Sequence, residues 1–377
     1  MPWDVKHGVI ETAKRLAELL RRRPESDDQE PDPAGSDDPA GPSGSPTPAA
    51  GHGGTPPKPS GAPPGRAPSR GRAGRSSSKP ASAPSPPRSR TAPFFDIEVL
   101  PAGHGDSLWI EYGDAATTHR CLIDCGTQQT AAHLLRRVEA VPASERFLEL
   151  FTLSHIDSDH IGGALPFFGA VQRGLRFGDI WFNGWRHLSG QLGARQGEMF
   201  STALLQLELP WNVWREGGPI VVEGDELPVH VLPGGMKLTL LSPTPERLKK
   251  LGPVWARELK RYGLQPGSRV DYGKFLKGTP STSTDIDELA DEAFGGDNGI
   301  PNGTSIAMLA EFGGASALLA ADAHAPVLAE SIRALLRQRG AERLKLDVFK
   351  VSHHASQNNV STELLQLLDC SRYIVST

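Results

Sequence analysis

The sequence predicts a mixed α/β fold of the α+β kind, carried behind a long tail that has no core of its own. Three observations lead there. From Phe94 onward, short runs rich in β-branched and aromatic residues alternate with longer stretches of helical spacing. Before Phe94, residues 24–93 are dominated by Pro, Gly, Ser and Ala and contain no large apolar side chain. Nothing in that stretch offsets the entropy of ordering, so it is expected to be disordered. Finally, the apolar run Phe147–Leu153 opens into Ser154-His155-Ile156-Asp157-Ser158-Asp159-His160-Ile161-Gly162-Gly163, a polar loop at the end of a buried strand.

The 377 residues bound the function as well as the fold. A formal net charge of -4 gives no general case for a nucleic-acid binder. No apolar run is long enough to span a bilayer, and no apolar segment with a small-residue cleavage site opens the chain. The three cysteines, Cys121, Cys125 and Cys370, are odd in number and lack paired CxxC spacing. That argues against a disulfide framework and against a structural zinc site, and makes the cytoplasm the expected compartment.

Three segments are expected in order. Residues 1–23 form an amphipathic helix, with Val5, Ile10, Ala13, Leu16, Leu19 and Leu20 near helical spacing and Arg21, Arg22 and Arg23 at its C-terminal end. It docks on its own domain or frays in solvent, and docking on a partner or a membrane surface is the alternative. Residues 24–93 are a linker, acidic between Glu25 and Asp38 and basic from Lys58 to Arg90. A solvated linker is the first reading of this stretch; its basic half is a candidate contact for nucleic acid or an acidic partner, so residues 1–93 are where a protein partner is expected. Residues 94–377 form the folded domain.

Within that domain, Phe95–Leu100 alternates as a strand, Gly103-His104-Gly105-Asp106 turns, and Ser107–Tyr112 and Arg120–Ile123 are further strands. Thr130–Val138 is a helix. After the His/Asp loop, a helix begins at Ala164 and is broken at Pro166. Asp179–Phe182 is a strand. Helices cover Gly197–Leu209 and Glu246–Tyr262, and Ile220–Leu232 pairs with Met236–Leu241 around Pro233-Gly234-Gly235. Residues 263–302 are polar, Gly-rich and acidic, and read as a mobile lid. Strands Ser305–Ala310 and Ser316–Ala320 lead to Ala321-Asp322-Ala323-His324. A helix over Pro326–Arg339 precedes the strand Leu344–Val351, which delivers Ser352-His353-His354-Ala355-Ser356, and Arg372–Thr377 is a last strand.

Four side chains able to ligate a metal fall within six positions, His155 to His160, and a tight loop at a strand end can turn them inward together. Imidazole and carboxylate suit divalent first-row metals, and the spacing accommodates two ions, His155 and Asp157 facing one, Asp159 and His160 the other. The loop resembles the metallo-β-lactamase superfamily signature His-x-His-x-Asp-His, with Asp157 where the second His usually stands. Ile161-Gly162-Gly163, Leu318-Leu319-Ala320-Ala321-Asp322-Ala323 and His353-His354-Ala355-Ser356 are most similar to the branch that contains the nuclease-like domain of DNA-uptake competence proteins, with Ala321 and Ala355 in place of Gly.

The resemblance implies a four-layered αββα sandwich over residues 94–377, truncated at its C-terminal end relative to the family and carrying an insertion at about 172–302. It implies two divalent ions, zinc first, manganese tolerated because Asp157 adds a carboxylate. The expected ligands are His155, Asp157, Asp159, His160, Asp322 and His354, with His353 either a ligand or a proton donor. Asp124 and Ser154 would orient ligands from behind. Asp159, His353 and Asp322 are the expected catalytic residues. His104, Trp185, Arg186 and His187, with Trp181, are candidate substrate contacts. The implied activity is hydrolysis by a metal-bridging hydroxide of phosphoester or phosphodiester substrates, small-molecule or nucleic-acid. Two alternatives stand beside it: hydrolysis of a small ester, lactone, thioester or amide, and a catalytically impaired scaffold that recruits partners.

Overall fold

The structure, a computed structural model, describes residues 5–6, 9–12, 93–188, 195–224, 226–261, 299–356 and 359–376. Residues 24–92 of the linker expected over 24–93, and 263–298 of the lid expected over 263–302, lie outside the described residues; the last four residues of that lid, Gly299–Asn302, are a short helix with Pro301 and Asn302 buried. The chain opens with two short strands, β1 (Val5–Lys6) and β2 (Val9–Thr12), where the spacing predicts a helix; the rest of 1–23 is outside the described residues. Val5, Val9, Ile10 and Thr12 are β-branched, and two neighbouring strands offer them hydrogen-bonding edges, which outweighs a marginal isolated helix.

β3 (Phe94–Val99), β4 (Leu108–Gly113) and β5 (Thr118–Ile123) form a meander. α1 (Ala131–Glu139) crosses to β6 (Phe147–Thr152). The short helices α2 (Ser158–Ile161) and α3 (Ala164–Phe168) follow, then β7 (Arg176–Trp181). Pro166 does not break α3: it is the third helical residue, in the first turn, where the backbone N–H has no partner within the helix. α4 (Arg195–Gln206) leads toward β8 (Val229–Val231) and β9 (Lys237–Ser242). Only Val229–Val231 of the long strand expected over Ile220–Leu232 pairs with β9; Ile220, Val221 and Val222 are buried without joining a strand. α5 (Pro245–Arg261) and α6 (Gly299–Asn302) precede the hairpin β10 (Ala307–Phe312) and β11 (Ala315–Leu319). α7 (Ala325–Arg339) then connects to β12 (Leu344–Leu346) and β13 (Val348–Lys350). The single strand expected over 344–351 is split at Asp347, whose carboxylate accepts from the Ser316 backbone N–H. α8 (Thr362–Gln366), β14 (Leu368–Cys370) and β15 (Arg372–Val375) complete the described chain.

Two mixed sheets result, ordered β1-β3-β4-β5-β6-β7 and β2-β15-β13-β11-β10-β9-β8, with a small β12-β14 pair. The stretch read as an insertion supplies β7 to one sheet and β8 and β9 to the other. Alternation along the first sheet sorts side chains into two cores. Ile97, Ile110, Cys121, Ile123, Leu150 and Trp181 pack with Leu240, Leu309, Leu318, Phe349 and Ile374 of the second sheet and with Leu328 and Ile332 of α7. Leu122, Phe151 and Ile180, on the opposite face, pack with Leu134, Val138, Phe167, Phe168, Phe200 and Trp255 from the helices. No described helix is long and apolar enough to cross a membrane.

Pairing within each sheet also fixes where strands end. β5, β6 and β7 run parallel, with Ile123 beside Thr152 and Thr152 beside Trp181. β11, β13 and β15 run parallel as well, with Leu319 beside Lys350 and Lys350 beside Ile374. The loops leaving these C-terminal ends emerge level with one another, which is where open parallel sheets place their ligand sites.

Candidate metal centre

Five strand ends feed one cluster: Asp124 after β5, residues 154–160 after β6, Asp322 after β11, His353 and His354 after β13, and Ser376 after β15. His155 Nε2 lies 3.5 Å from Asp157 Oδ2 and 3.8 Å from Asp322 Oδ2. His160 Nε2 lies 3.3 Å from Asp322 Oδ2 and 3.6 Å from Asp159 Oδ2. His354 Nε2 is 3.5 Å from Asp159 Oδ2, and His353 Nε2 is 3.9 Å from Asp322 Oδ2. The ring of His160 is central, with centroids 4.2 Å from His155 and 6.0 Å from His354. His155, His160 and Asp322 form one ligand-competent group; Asp159, His160 and His354 form a second.

Each imidazole is held from behind through Nδ1. His160 Nδ1–H donates to Asp124 Oδ2 at 2.8 Å. His155 Nδ1 meets Ser154 Oγ at 2.9 Å and Ser305 Oγ at 3.3 Å; Ser154 Oγ–H is itself donated to Asp124, so its lone pair is free to accept. His354 Nδ1–H donates to the Ser376 carbonyl at 2.8 Å, and His353 Nδ1–H to Asn359 Oδ1 at 3.0 Å. The acceptors fix the tautomer, so all four rings present Nε2 to the cluster. Asp124 additionally accepts the Ser154 backbone N–H at 2.7 Å and so ties the loop itself to β5.

The Nε2 atoms of His155, His160 and His354 and the Oδ1 atoms of Asp157 and Asp322 are buried without a hydrogen-bond partner. Buried polar atoms are ordinarily paired. Five such atoms, nitrogen lone pairs and carboxylate oxygens of one cluster, are donors of the kind that could hold a divalent cation. Without a cation, protons must do the same work. Burial lowers the affinity of His160 for a proton, but Asp322 and Asp124 outweigh it and hold that imidazole well above its usual value. Burial acts likewise on His155, which Asp157 and Asp322 hold up. Burial would raise Asp322, yet His160 and His155 keep its carboxyl well below the usual range. Burial would raise Asp159 also, and the imidazoles beside it, His354 first and then His160, keep its carboxyl low. The residues fit a metal.

The turn carrying the two histidines is folded by its backbone. His353, His354 and Ala355 all have left-handed φ, at 44°, 51° and 64°, as has Ala321 at 47°. Strand alternation would send His353 and His354 to opposite faces; successive left-handed residues let both reach carboxylates of the cluster. Gly105 closes the other side, since a Cβ there would stand 1.6 Å from the Asp159 carbonyl oxygen. His104, its neighbour, is exposed at this rim.

Other candidates do not join the cluster. Trp181 is fully buried in the core. The Arg186 guanidinium lies over the Trp211 ring at 3.7 Å, and His187 accepts from Gly184 N at 3.1 Å and faces the Gly217 carbonyl at 3.1 Å. These contacts tie Arg186 and His187 to the Trp211–Gly218 loop, and Trp185 packs partly buried against the neighbouring core.

Sequence reasoning missed a polar chain behind His354. Ser376 Oγ–H donates to Asp106 Oδ1, and Asp106 pairs with Lys350 Nζ at 2.5 Å. Burial would raise Asp106, and Lys350 outweighs it, holding the carboxyl low. Lys350 is fully buried, and a lone Lys inside the apolar run Leu346–Val351 was the available signal. Asn302 and Asn359 around His353 carried no signal of their own.

No family model matches the chain, and no curated protein matches it.

Proposed function

We propose that the protein is a metal-dependent hydrolase of phosphoester or phosphodiester bonds, built as a four-layered αββα sandwich of the metallo-β-lactamase type. The observation that carries the reading is the set of four imidazoles pinned through Nδ1, with Nε2 aimed at Asp157, Asp159 and Asp322. The shared core of the two sheets and the helices packed beyond them support the architecture.

In this reading His155, Asp157 and Asp322 hold one divalent ion and Asp159 and His354 a second, with His160 between them. Zinc is the expected metal, and manganese is tolerated because the donor set is rich in carboxylate. Such ions, when bound, lower the pKa of water toward neutrality and neutralise charge developing on a phosphoryl group. The chain does the rest. Asp124 and Ser154 keep His155 and His160 in the ligating tautomer. Ser376 does the same for His354. His353 is a third exposed, unlike the buried His155 and His160, and its Nε2 lies 3.9 Å from Asp322 at the edge of the cluster, so it is the group placed to pass a proton to a leaving oxygen.

The test is elemental analysis of the purified full chain together with an assay panel. Near-stoichiometric zinc or manganese, and cleavage of bis-p-nitrophenyl phosphate that falls at least a hundredfold in Asp322→Asn, are expected. A protein that holds no divalent metal at micromolar supply would end the proposal. Turnover of a lactone or thioester with no phosphodiester cleavage would keep the metal centre and replace the substrate class.

A further inference from the structure

Beside the centre, on the flank of Asp322 and His353, sits a cation that the metal reading leaves unused. Arg247 is the third residue of α5 and is half-buried. Its Nη1–H donates to His324 Nδ1 at 2.6 Å. Among the described residues no carboxylate lies within ion-pair distance of it. A guanidinium carries five N–H donors in a planar fork, and a neutral imidazole satisfies one of them. Removing a cation from water without an opposing charge is costly, so such an arginine awaits an anion.

The neighbourhood turns this arginine toward the centre. His324 follows Asp322 by two residues. The Gly299–Gly303 segment packs against the pair: a Cβ on Gly303 would lie 3.1 Å from Arg247 Nη1 and 3.2 Å from the His324 ring. Asn302, beside that glycine, is 3% exposed, and its side-chain amide lies 3.3 Å from His353 Nδ1, which ties the segment to the cluster. Among the described residues, a cation without a carboxylate partner therefore flanks one side of the cluster, with a glycine rather than a side chain beside it.

We propose that Arg247, oriented by His324, binds a non-bridging phosphate oxygen of the substrate next to the metal centre. This rests on the hydrolase reading and specifies it: a phosphate-bearing substrate gains a charge-assisted contact that a lactone or thioester cannot use.

Inorganic phosphate is the probe, titrated calorimetrically into the full chain. Arg247→Met preserves the aliphatic stem and removes the fork. It is expected to weaken phosphate binding tenfold or more while metal content and Tm stay unchanged. Arg247→Lys should lose part of the affinity, and Arg333→Gln, on the surface beside Glu363, should lose none. Wild-type affinity in Arg247→Met would overturn the subsite. Should Arg247→Met prove less stable, His324→Gln decides, because it frees the guanidinium without removing it: unchanged affinity in that variant would remove His324 from the proposal, and a severalfold loss would support it. The two readings fail separately. A metal-loaded protein whose phosphate affinity ignores Arg247 loses the subsite and keeps the centre, whereas a metal-free protein whose phosphate affinity depends on Arg247 loses the hydrolase and keeps the subsite.

Discussion

Asp124 shows how much one residue can set. It is fully buried, has φ of 59°, and accepts three hydrogen bonds: from Ser154 N, Ser154 Oγ and His160 Nδ1. It does not itself face the orphaned Nε2 atoms. Its effect on a metal is therefore indirect, through the tautomer and aim of His160 and through the position of the loop. Asp124→Asn keeps the shape and loses the charge that holds the imidazole in place. Outer hydrogen-bond partners of metal ligands typically carry 10–100-fold in metal affinity. We expect Asp124→Asn to lower zinc affinity by about that factor, measured by competition with a chromogenic chelator, with circular dichroism unchanged. Full zinc affinity in a folded variant would mean that Asp124 is a structural tie only. Asp124 was legible in the sequence through the resemblance, as the acid of Asp124-Cys125-Gly126 closing the strand Arg120–Ile123. Lys350 and Ser376 were harder: one looks like a strand-face lysine, the other like a terminal polar residue, and only the parallel register of β13 and β15 brings them to Asp106 and His354.

At the scale of elements, two loops carry opposite lessons. The turn Ser352–Ala355 puts three non-glycine residues in the left-handed region. Each costs about 1–2 kcal/mol, less the roughly 0.5–1 kcal/mol that a glycine would lose through a freer unfolded chain. Ala355→Gly is thus expected to raise stability by about 0.5–1 kcal/mol in urea denaturation, and an unchanged or lower midpoint would show that the turn is not strained at that position. Sequence reasoning reached this turn but not its backbone, since strand alternation predicts one inward histidine where the turn delivers two. The loop Asn183–His187 is the reverse case: its polar and aromatic residues suggested substrate contacts, and tertiary hydrogen bonds absorb them. Burial and the neighbouring Arg186 push the His187 imidazole down to about 4 from an ordinary 6.5. Between those values the unfolded chain binds the extra proton, so the stability that neutral His187 supplies is complete above about pH 6.5 and drains away as pH falls toward 4. His187→Gln should flatten the dependence of unfolding free energy on pH between 7 and 4.5 by about one proton. Parallel profiles for the two proteins would sink that assignment.

For the whole molecule, the position of the cluster has a mechanical consequence. His155, Asp157, Asp159 and His160 belong to the loop leaving β6 of one sheet, whereas Asp322, His353 and His354 leave β11 and β13 of the other. Apart from polar ties at this edge, among them Lys350 and Ser376 to Asp106, the sheets are joined mainly by apolar packing in their common core, so uncompensated like charges at the rim oppose that packing. Five aspartates, Asp106, Asp124, Asp157, Asp159 and Asp322, gather there against Lys350 and the histidines. A cation held by both loops would bind the native state and have no comparable site on an unfolded chain, so the proposed metal would make the cluster a clasp between sheets. Mass action then gives about 2.7 kcal/mol at a free metal concentration one hundred times the dissociation constant. For a domain of this size that is a rise in Tm of about 5 °C or more. The gain should shrink in His160→Gln, which sits between the two ligand groups, and survive in His187→Gln, which is tied to a different loop. Differential scanning calorimetry of the chelator-treated chain, with and without added zinc, reads this directly: equal Tm values under both conditions would mean that the two sheets meet at this edge without a metal between them.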